Sequence, residues 1–340
     1  MEWCAKPIWS VSAYRTSVRS SCTRLRLRDA GVSFILYDSL SDLVARSQLV
    51  RSRPRKIHSS RVPRRGTRVA WHDRSSAETG LFGTRRSNPL RKRPDEKPWY
   101  ETAFEADYLA RYAHRSERAG AREVAFLKRV LHLPKGARIL DLCCGAGRHA
   151  HALTRHGYRV LGVDLSFELL RSARKKDPVA SFVRADARHL PLRTGLFDGV
   201  VNLFTSFGYF ETAQENLAVL RGATRVLRPG GVLVLDFFNL RPTLRGLVAR
   251  TERRVGRAWL IEERGFDRRR KRLEKRIRIE EPAHPVRELR ESVRAYSPAE
   301  LQRLARRAGL TVLQRFGDLR GAPFRPSRSP RCVLVARKDV

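Results

Sequence analysis

The stretch ARILDLCCGAGRHAHAL, residues 137–153, decides the fold. An apolar run typical of a buried strand reaches Asp141, two cysteines follow, and Gly145 and Gly147 lead into residues with helical spacing. A strand, a glycine-rich turn and a helix N-terminus together bind anions or cofactors, because free backbone N–H groups point outward there. The two cysteines suggest a metal site, and the glycines suggest a dinucleotide site as an alternative.

The sequence offers few ligands for a metal ion at this turn. Adjacent cysteines rarely both ligate one zinc ion, and no second Cys or His pair completes a site at the usual spacing. His149 and His151 lie two positions apart in the predicted helix and therefore point to different faces. We expect no metal site, and we interpret Cys143 and Cys144 as small residues at a crowded strand end.

The turn also matches the dinucleotide fingerprint. Residues 145–150 have the spacing G-x-G-x-x-A, and Asp164 follows at the end of the next strand, where an acid can bind ribose. A Walker phosphate loop is excluded, because no Gly-Lys-Ser/Thr follows. Three features point away from NAD. Asp141 precedes the glycines, where it would meet a positively charged ligand group, Asp186 ends a third strand, and LRPGG precedes a fifth.

Strand and helix patterns alternate outward from this stretch. Near-continuous apolar runs, expected when helices cover both faces of a parallel sheet, predict strands at 137–142, 159–164, 180–186, 197–204 and 231–238. Helical spacing predicts helices at 99–133, 147–156, 166–176 and 211–227. The alternation predicts a doubly wound α/β sheet with right-handed crossovers.

The pattern changes after the fifth strand. Residues 258–281 alternate apolar and charged side chains around DRRRKR, which predicts an antiparallel hairpin with one solvated face. Ser297 and Glu300 have the spacing of a capping box at the start of a helix that runs to Gly309. Two last strands are predicted, at 311–317 and 331–337.

Residues 99 to 338 resemble the class I S-adenosylmethionine-dependent methyltransferases, of the group with a small antiparallel insertion late in the sheet. The motifs that carry the resemblance are ILDLCCGAGRH, VLGVDLS, VRADARHLP, FDGVVNLFTSFGYF and VLRPGGVLVLDFFN, in the family's order. The resemblance implies a mostly parallel, seven-stranded, Rossmann-like sheet with helices on both faces and an insertion at about 241–296. It also implies S-adenosylmethionine as the cofactor.

The resemblance assigns cofactor-binding roles to the matching residues. Asp141 would accept a hydrogen bond from the methionine ammonium group, Asp164 would bind both ribose hydroxyls, and Asp186 would hold the adenine amino group. The remaining positions would lie against the cofactor backbone, ribose, adenine or methyl group, or close over it: Cys143, Gly145, Gly147, Leu165, Ser166, Ala187, Asn202, Leu203 and Tyr100.

Two positions near the turn and the acceptor carry separate expectations. The family often has glycine where this chain has Cys143, so we expect an ordinary negative φ at that cysteine. No distinctive signature marks a catalytic base, and Tyr209 and Tyr296 are the candidates on the acceptor side.

The chain has 71 basic and 34 acidic residues, a net charge of +37. Arginine is spread along the whole sequence, which favours the codon bias of a GC-rich genome over a dedicated polyanion-binding face. We expect a small-molecule acceptor. One alternative is an RNA methyltransferase in which residues 267–276 contact phosphates, and another is a basic nucleic-acid-binding protein with a vestigial cofactor fold.

Residues 1–96 are rich in Arg and Ser without regular apolar spacing, which predicts a disordered extension before a methyltransferase domain at 97–340. A basic nucleic-acid arm and a misassigned start of translation are alternatives for that extension. Five cysteines without C-x-x-C spacing indicate a reducing compartment, here the cytoplasm. No apolar run approaches the ~20 residues that cross a bilayer, so we expect no membrane association. The sequence leaves the oligomeric state open.

Overall fold

The computed structural model describes residues 22–26, 33–37, 97–104, 108–111, 117–176 and 180–340. Their strands are β1 (Cys22–Arg26), β2 (Ser33–Tyr37), β3 (Arg138–Leu142), β4 (Arg159–Asp164), β5 (Ser181–Arg184), β6 (Phe197–Asn202), β7 (Leu227–Phe238), β8 (Arg250–Val255), β9 (Ala258–Asp267), β10 (Arg272–Glu280), β11 (Arg287–Arg294), β12 (Leu310–Phe316) and β13 (Arg331–Lys338). Their helices are α1 (Trp99–Thr102), α2 (Tyr108–Arg111), α3 (Glu117–Leu131), α4 (Arg148–Arg155), α5 (Phe167–Lys176), α6 (Ala213–Val226), α7 (Leu240–Arg245) and α8 (Pro298–Arg307).

The main sheet has the strand order β5-β4-β3-β6-β7-β13-β12 at its centre, with β2 and β1 beyond β5. Strands β5, β4, β3, β6 and β7 are parallel, and β13 is antiparallel to both β7 and β12. The predicted doubly wound, mostly parallel seven-stranded sheet is therefore confirmed. The chain passes from β3 outward to β5 and then returns to the other side of β3 at β6. Open α/β sheets bind ligands at such a reversal, at the carboxyl ends of the strands.

The core explains why the central strands read as apolar runs. Ile139 and Leu140 of β3 and Val200 and Val201 of β6 are fully buried, because helices cover both faces of the sheet. The predicted capping box also forms, since the Ser297 hydroxyl accepts from the backbone N–H of Glu300 and the Glu300 carboxylate accepts from that of Ser297. These local signals fix both the buried sheet and the start of α8.

The insertion is a four-stranded antiparallel sheet, in the order β11-β10-β9-β8. It includes the predicted hairpin, β9 and β10, and lies between α7 and α8, within the predicted limits of 241–296. The outer strands β8 and β11 have no apolar alternation and were not predicted. Charged side chains cover much of both, and cross-strand ion pairs such as that between Arg290 and Glu274 join β11 to β10.

The prediction of one continuous helix over 99–133 is wrong. The described parts of this segment form the separate helices α1, α2 and α3, and α1 ends at a turn that begins with Ala103. Trp99 and Phe104 both pack on the ring of Tyr209, and the buried Arg111 donates from Nη2 to the carbonyl oxygen of Ala103 at 2.7 Å. These long-range contacts override the helical periodicity.

Two short pieces of residues 1–96 form strands. Strands β1 and β2 pair antiparallel, and β2 joins the main sheet where Leu36 pairs with Val183. The apolar run VSFILY, which contains β2, has the β-branched and aromatic composition of a strand, and β5 otherwise presents an unpaired edge on that side. The remaining residues of 1–96 lie outside the described residues.

Candidate active site

A deep cleft lies at the carboxyl ends of β3, β4, β5 and β6. The space between its walls, including the part open to solvent, is about 1380 Å³. Ten of the residues singled out in the sequence line it: Tyr100, Asp141, Cys143, Gly145, Asp164, Leu165, Asp186, Ala187, Leu203 and Tyr209. Gly147, Ser166, Asn202 and Tyr296 do not line it.

The glycine-rich turn between β3 and α4 passes under the cleft in left-handed backbone conformations. Gly145 has φ +56° and Gly147, the N-cap of α4, has φ +74°. A Cβ on Gly147 would lie 2.8 Å from Nε2 of His151 and 3.0 Å from the Cβ of Ala173, so only glycine lets α4 and α5 approach here. Gly147 therefore shapes the turn from beneath, without lining the cleft itself.

The expectation of a negative φ at Cys143 is wrong, because this residue has φ +61°. The chain leaves β3 here and must turn sharply, since the next amide, of Cys144, donates to the carbonyl oxygen of Val163 in β4 at 3.0 Å. A non-glycine residue in this region costs about 1–2 kcal/mol. The turn thus keeps at Cys143 the conformation that glycine adopts without strain, and the cysteine bears the cost.

Asp164, at the end of β4, holds the glycine turn in place. Its Oδ2 accepts from the backbone N–H of Gly145 at 2.8 Å and its Oδ1 from that of Ser166 at 2.9 Å. Burial raises the pKa of Asp164 and outweighs these hydrogen bonds, which act in the opposite direction. Because a carboxylate has about four acceptor positions, the side chain keeps acceptor capacity for a ligand in the cleft.

Ser166 acts outside the cleft. Its hydroxyl donates to the carbonyl oxygen of Phe104 at 2.6 Å and accepts from the backbone N–H of Leu169 at 3.2 Å. Ser166 therefore caps the N-terminus of α5 and binds the segment that follows α1.

Asp141, the last polar residue of β3, is the most isolated charge of the site. Its side chain is 2% exposed, and Oδ2 has no hydrogen-bond partner among the described residues. Burial raises the pKa of Asp141 to about 6, although His149 nearby acts to lower it. A buried carboxylate oxygen without a donor is costly. A cationic or N–H donor group bound in the cleft would remove this cost, so the residue fits the ammonium group of S-adenosylmethionine.

Asp186, which follows β5, is already bound to a basic side chain. The Arg188 guanidinium donates to both carboxylate oxygens, at 2.6–3.1 Å, and its backbone N–H donates to Oδ1 at 2.8 Å. Burial alone would raise the pKa of Asp186, but these bonds outweigh burial and the pKa lies below its ordinary value. Arg188 also donates to Glu215 and lies 4.3 Å over the ring of Phe210.

Sequence reasoning missed Arg188. The two-residue spacing in DAR gives no pattern that separates it from the other arginines of the chain.

Aromatic residues form the wall opposite the glycine turn. The ring of Phe104 stacks on Tyr209 with 5.9 Å between centroids, and Tyr100 meets Phe210 edge to face at 5.1 Å. Phe104 and Phe210 were not predicted, because a single aromatic residue in a loop does not distinguish a cleft wall from core. The wall joins α1 to the loop after β6 and leaves one side of the cleft mainly apolar.

Arg272 of the insertion holds this wall in place. It is 2% exposed, and its guanidinium donates to the carbonyl oxygens of Tyr209 at 3.0 Å and Phe210 at 3.1 Å, and to that of Ser292 at 2.7 Å. The insertion therefore shapes the aromatic side of the cleft through one buried side chain. Nothing in the arginine-rich DRRRKR segment distinguishes this arginine from its neighbours in the sequence.

Two further predicted positions lie away from the cleft. Tyr296 is 5% exposed and packs between Phe207 and Phe237, with ring centroids at 5.5 and 6.0 Å. The structure therefore places this residue in the core beneath the loop and not at the cleft. Asn202 is buried and donates from Nδ2 to the carbonyl oxygen of Leu142 at 3.0 Å, so it joins the end of β6 to the end of β3.

Among the described residues, no group of three or more His, Cys, Asp or Glu side chains is arranged to hold a metal ion. Within the same part of the chain, no helix is both long and apolar enough to cross a membrane.

Comparison with known proteins gives the same picture as the site. A family model described as a methyltransferase domain matches residues 139–231. A dTDP-3-amino-3,4,6-trideoxy-alpha-D-glucopyranose N,N-dimethyltransferase of Streptomyces venezuelae is 35% identical over 118 residues, which are 35% of this chain and 49% of that protein. A putative methyltransferase of Bacillus subtilis is 37% identical over 31% of this chain and 43% of its own length. The chain thus spans about half the length of the curated relatives it matches.

Solved structures extend the likeness beyond the glycine-rich half. The CcbJ methyltransferase from Streptomyces caelestis is 25% identical, with a TM-score of 0.56 over 64% of this chain and 94% of that one. The amino pentose methyltransferase CalS10 from Micromonospora echinaspora, solved with S-adenosylmethionine bound, is 25% identical, with a TM-score of 0.51 over 72% of this chain and 99% of that one.

The sheet order, the glycine turn and the three strand-end acids resemble those of a Rossmann-like methyltransferase domain, whose family model matches residues 139–231. The relatives and the solved structures support the similarity to class I S-adenosylmethionine-dependent methyltransferases that the motifs predict.

Proposed function

We propose that this chain transfers a methyl group from S-adenosylmethionine to a small-molecule acceptor. The observation that carries the proposal is the buried Asp141, whose Oδ2 has no donor within the described residues and which lines a cleft shared with Asp164 and Asp186. Three acids at the ends of three adjacent parallel strands suit a nucleoside that carries a positive charge. The bound S-adenosylmethionine of CalS10 and the sugar N,N-dimethyltransferase among the relatives support this assignment.

The residues of the cleft suit the parts of the cofactor. Asp141 would bind the ammonium group, Asp164 the ribose hydroxyls, and Asp186, oriented by Arg188, the adenine amino group. When bound, S-adenosylmethionine supplies a methyl group on a cationic sulfur. The backbone at Gly145 and Cys143 allows close approach, and Leu165, Ala187 and Leu203 line the same cleft.

The aromatic wall suits the acceptor. Methyl transfer from a sulfonium is an in-line displacement, so the enzyme contributes mainly alignment and exclusion of water. Phe104, Tyr209 and Phe210 provide a fixed, mostly apolar surface, held by contacts with α1 and by Arg272. Tyr209 is the candidate general base, acting as the phenolate, where the acceptor is protonated, because it lines the cleft.

The bonding of the basic side chains favours a small molecule over RNA. In the segment 267–276, Arg272 binds carbonyl oxygens, Arg270 pairs with Glu211, and Lys275 pairs with Glu262. These three cations neutralise groups of the chain itself. Because these cations are paired within the chain, the high net charge is weaker support for a nucleic-acid acceptor.

Isothermal titration calorimetry with S-adenosylmethionine tests the cofactor assignment. We expect binding by the wild type and a loss of roughly 100-fold or more in Asp164→Ala, which removes charged hydrogen bonds to both ligand and turn. Asp198→Ala is the matched control, because Asp198 binds Arg228 and the backbone N–H of Arg138 at the amino ends of the strands, away from the cleft. A folded wild type that does not bind, or equal affinities in all three proteins, would contradict the proposal.

A second assay tests the acceptor class. The enzyme is incubated with cofactor labelled in the methyl group and with either a low-molecular-weight metabolite extract or total RNA. We expect label in the small-molecule fraction. Label in RNA that falls steeply with added salt would replace the small-molecule acceptor by RNA.

A further inference from the structure

The loop that follows β6 contains two consecutive residues in the left-handed region. Phe204 has φ +56° and Thr205 has φ +60°, and neither is glycine. Each such residue costs about 1–2 kcal/mol in an L-amino acid chain. A strained pair persists only where the surrounding structure fixes it, and such pairs concentrate at functional sites. This one lies at the end of the predicted strand 197–204, where Phe204 lines the cleft.

The surrounding structure fixes the pair through Asp236, which is completely buried in β7. Its Oδ2 accepts from the backbone N–H of Phe204 at 2.8 Å, and its own carbonyl oxygen accepts from the N–H of Thr205 at 3.1 Å. Both strained residues are therefore bonded through their backbone to one buried residue of the neighbouring strand.

Arg331, at the start of β13, completes the arrangement. Its Nε donates to Oδ1 of Asp236 and its Nη2 to Oδ2, both at 2.7 Å. Nη2 also donates to the Thr205 hydroxyl at 3.0 Å. The forked guanidinium thus fixes the Asp236 carboxylate and the Thr205 side chain together, a geometry that a lysine ammonium cannot reproduce.

The side chain of Phe204, which this arrangement positions, forms part of the wall of two cavities. Phe204 lines the cofactor cleft and also a second, smaller cavity beside α3, which Arg331 lines as well. The Arg148 guanidinium lies 4.1 Å over the ring and that of Arg331 lies 5.7 Å from it. His149 stacks on it at 5.6 Å. Two guanidinium groups, from the first residue of α4 and the first residue of β13, therefore lie over one aromatic ring.

We propose that the Asp236–Arg331 ion pair is a positioning device that holds Phe204 and Thr205 left-handed, so that the Phe204 ring forms the wall between the two cavities. No member of the pair lines the cofactor cleft, so the device acts through Phe204. The proposal rests on the proposed function only because its test uses S-adenosylhomocysteine, the demethylated cofactor, as the probe.

The test replaces the pair by apolar side chains of similar size, Asp236→Leu with Arg331→Met. Such exchanges of a buried ion pair are often neutral for folding, because neither charge is left unpaired. The variant removes the acceptor for the Phe204 N–H and the fork on Thr205. We expect the Kd for S-adenosylhomocysteine, measured by calorimetry, to rise roughly tenfold, the ratio that matches the strain of one left-handed residue.

Adding Thr205→Gly to the double variant separates positioning from a general structural role. Glycine adopts a positive φ without strain, so the loop keeps its conformation without the ion pair, and we expect most of the affinity to return. Arg331→Lys, which keeps the charge but loses the fork, is the conservative variant and should fall between wild type and the double variant. Asp198→Leu with Arg228→Met removes an ion pair at the amino ends of the strands, away from the cleft, and should leave the Kd unchanged.

Crystal structures of the double variant with and without Thr205→Gly give a readout that needs no ligand. We expect Phe204 and Thr205 to leave the left-handed region in the first and to return to it in the second. Unchanged φ values in the double variant, or a Kd that glycine does not restore, would overturn the proposal. If the wild type binds no S-adenosylhomocysteine, the proposed function fails and the φ values alone decide this inference.

Discussion

The two sides of the cleft are built in different ways. On the cofactor side, Asp141, Gly145 and Asp164 come from consecutive strand–turn–helix units, and the bonds between them join backbone to nearby side chains. On the aromatic side, the loop at Tyr209 and Phe210 is held by Arg272, more than 60 positions away in the chain. The first side follows from the local sequence, whereas the second depends on which distant side chain reaches it.

This difference explains why the cofactor of the chain is easier to infer than its acceptor. The strand-end acids have a fixed relation to the parallel sheet, because every parallel strand presents its carboxyl end at the same edge. The acceptor side is shaped by an inserted sheet whose contacts have no such rule. A change of one buried residue in the insertion can reshape the acceptor wall without touching the glycine turn.

The largest expected effect is on the aromatic side. Arg272→Met leaves the carbonyl oxygens of Tyr209, Phe210 and Ser292 without their donor in a buried place. At about 1–3 kcal/mol for each unsatisfied group, partly relieved by relaxation, we expect a loss of about 4 kcal/mol in the free energy of unfolding. Urea denaturation measures it.

Arg276→Met is the matched control for Arg272→Met, because Arg276 is exposed on the same strand. It should change stability by no more than about 0.5 kcal/mol. The separation of the two sides of the cleft would break down if folded Arg272→Met lost more affinity for S-adenosylhomocysteine than Asp164→Ala.

The next effect concerns pH on the cofactor side. Burial raises the pKa of Asp141 to about 6 in the folded chain, whereas an unfolded Asp titrates near ~3.9. Between these values the folded state holds a proton that the unfolded state has lost, so this residue's contribution to stability is complete below pH ~4 and falls by about 3 kcal/mol as the pH rises to ~6. Above that pH the contribution is constant.

Asp141→Asn removes this contribution, so the stability difference between variant and wild type should change with pH across the same window. Urea denaturation at pH 4 to 7 measures the difference. An ammonium ligand requires the ionised carboxylate, so wild-type affinity for S-adenosylhomocysteine should rise as the pH rises to 6, and the affinity of the Asn variant should not. Parallel pH curves for the two proteins would mean that Asp141 is not the residue that titrates.

A pair of glycine substitutions divides the turn itself. Gly147→Ala places a Cβ 2.8 Å from Nε2 of His151 at a left-handed position, so we expect a loss of about 2 kcal/mol in unfolding free energy. Gly145→Ala meets only the Leu169 side chain, at 3.8 Å, and should cost about 1 kcal/mol from its backbone alone.

The order should reverse for cofactor affinity, because Gly145 lines the cleft and Gly147 does not. Calorimetry and urea denaturation on both variants measure the two orders. If Gly147→Ala had the greater effect on affinity, the turn could not be divided into a cleft-lining part and a packing part.

The sequence predicted the sheet well, for reasons visible in particular residues. The predicted limits of β4 are the observed ones, since Arg159 and Asp164 bound an uninterrupted apolar run. The position of Tyr296 could not be predicted, because an aromatic residue before a helix fits a core as well as a cleft, and only the contacts with Phe207 and Phe237 show that it lies in the core. Arg188, Arg272 and Arg331 were missed because each owes its role to partners that no spacing in the sequence indicates.

The smallest expected effect concerns Cys143 in the glycine-rich turn, where the expectation of a negative φ is wrong. Cys143 has φ +61°, so Cys143→Gly relieves about 1–2 kcal/mol of backbone strain and loses part of it to the greater freedom of glycine in the unfolded chain. Cys143→Ala also removes the sulfur but keeps the strain. We therefore expect the Gly variant to be more stable than the Ala variant by about 1 kcal/mol in urea denaturation, the reverse of the usual order of these residues. If the Ala variant were the more stable of the two, position 143 would accommodate alanine without cost, and the turn would not be strained at this residue.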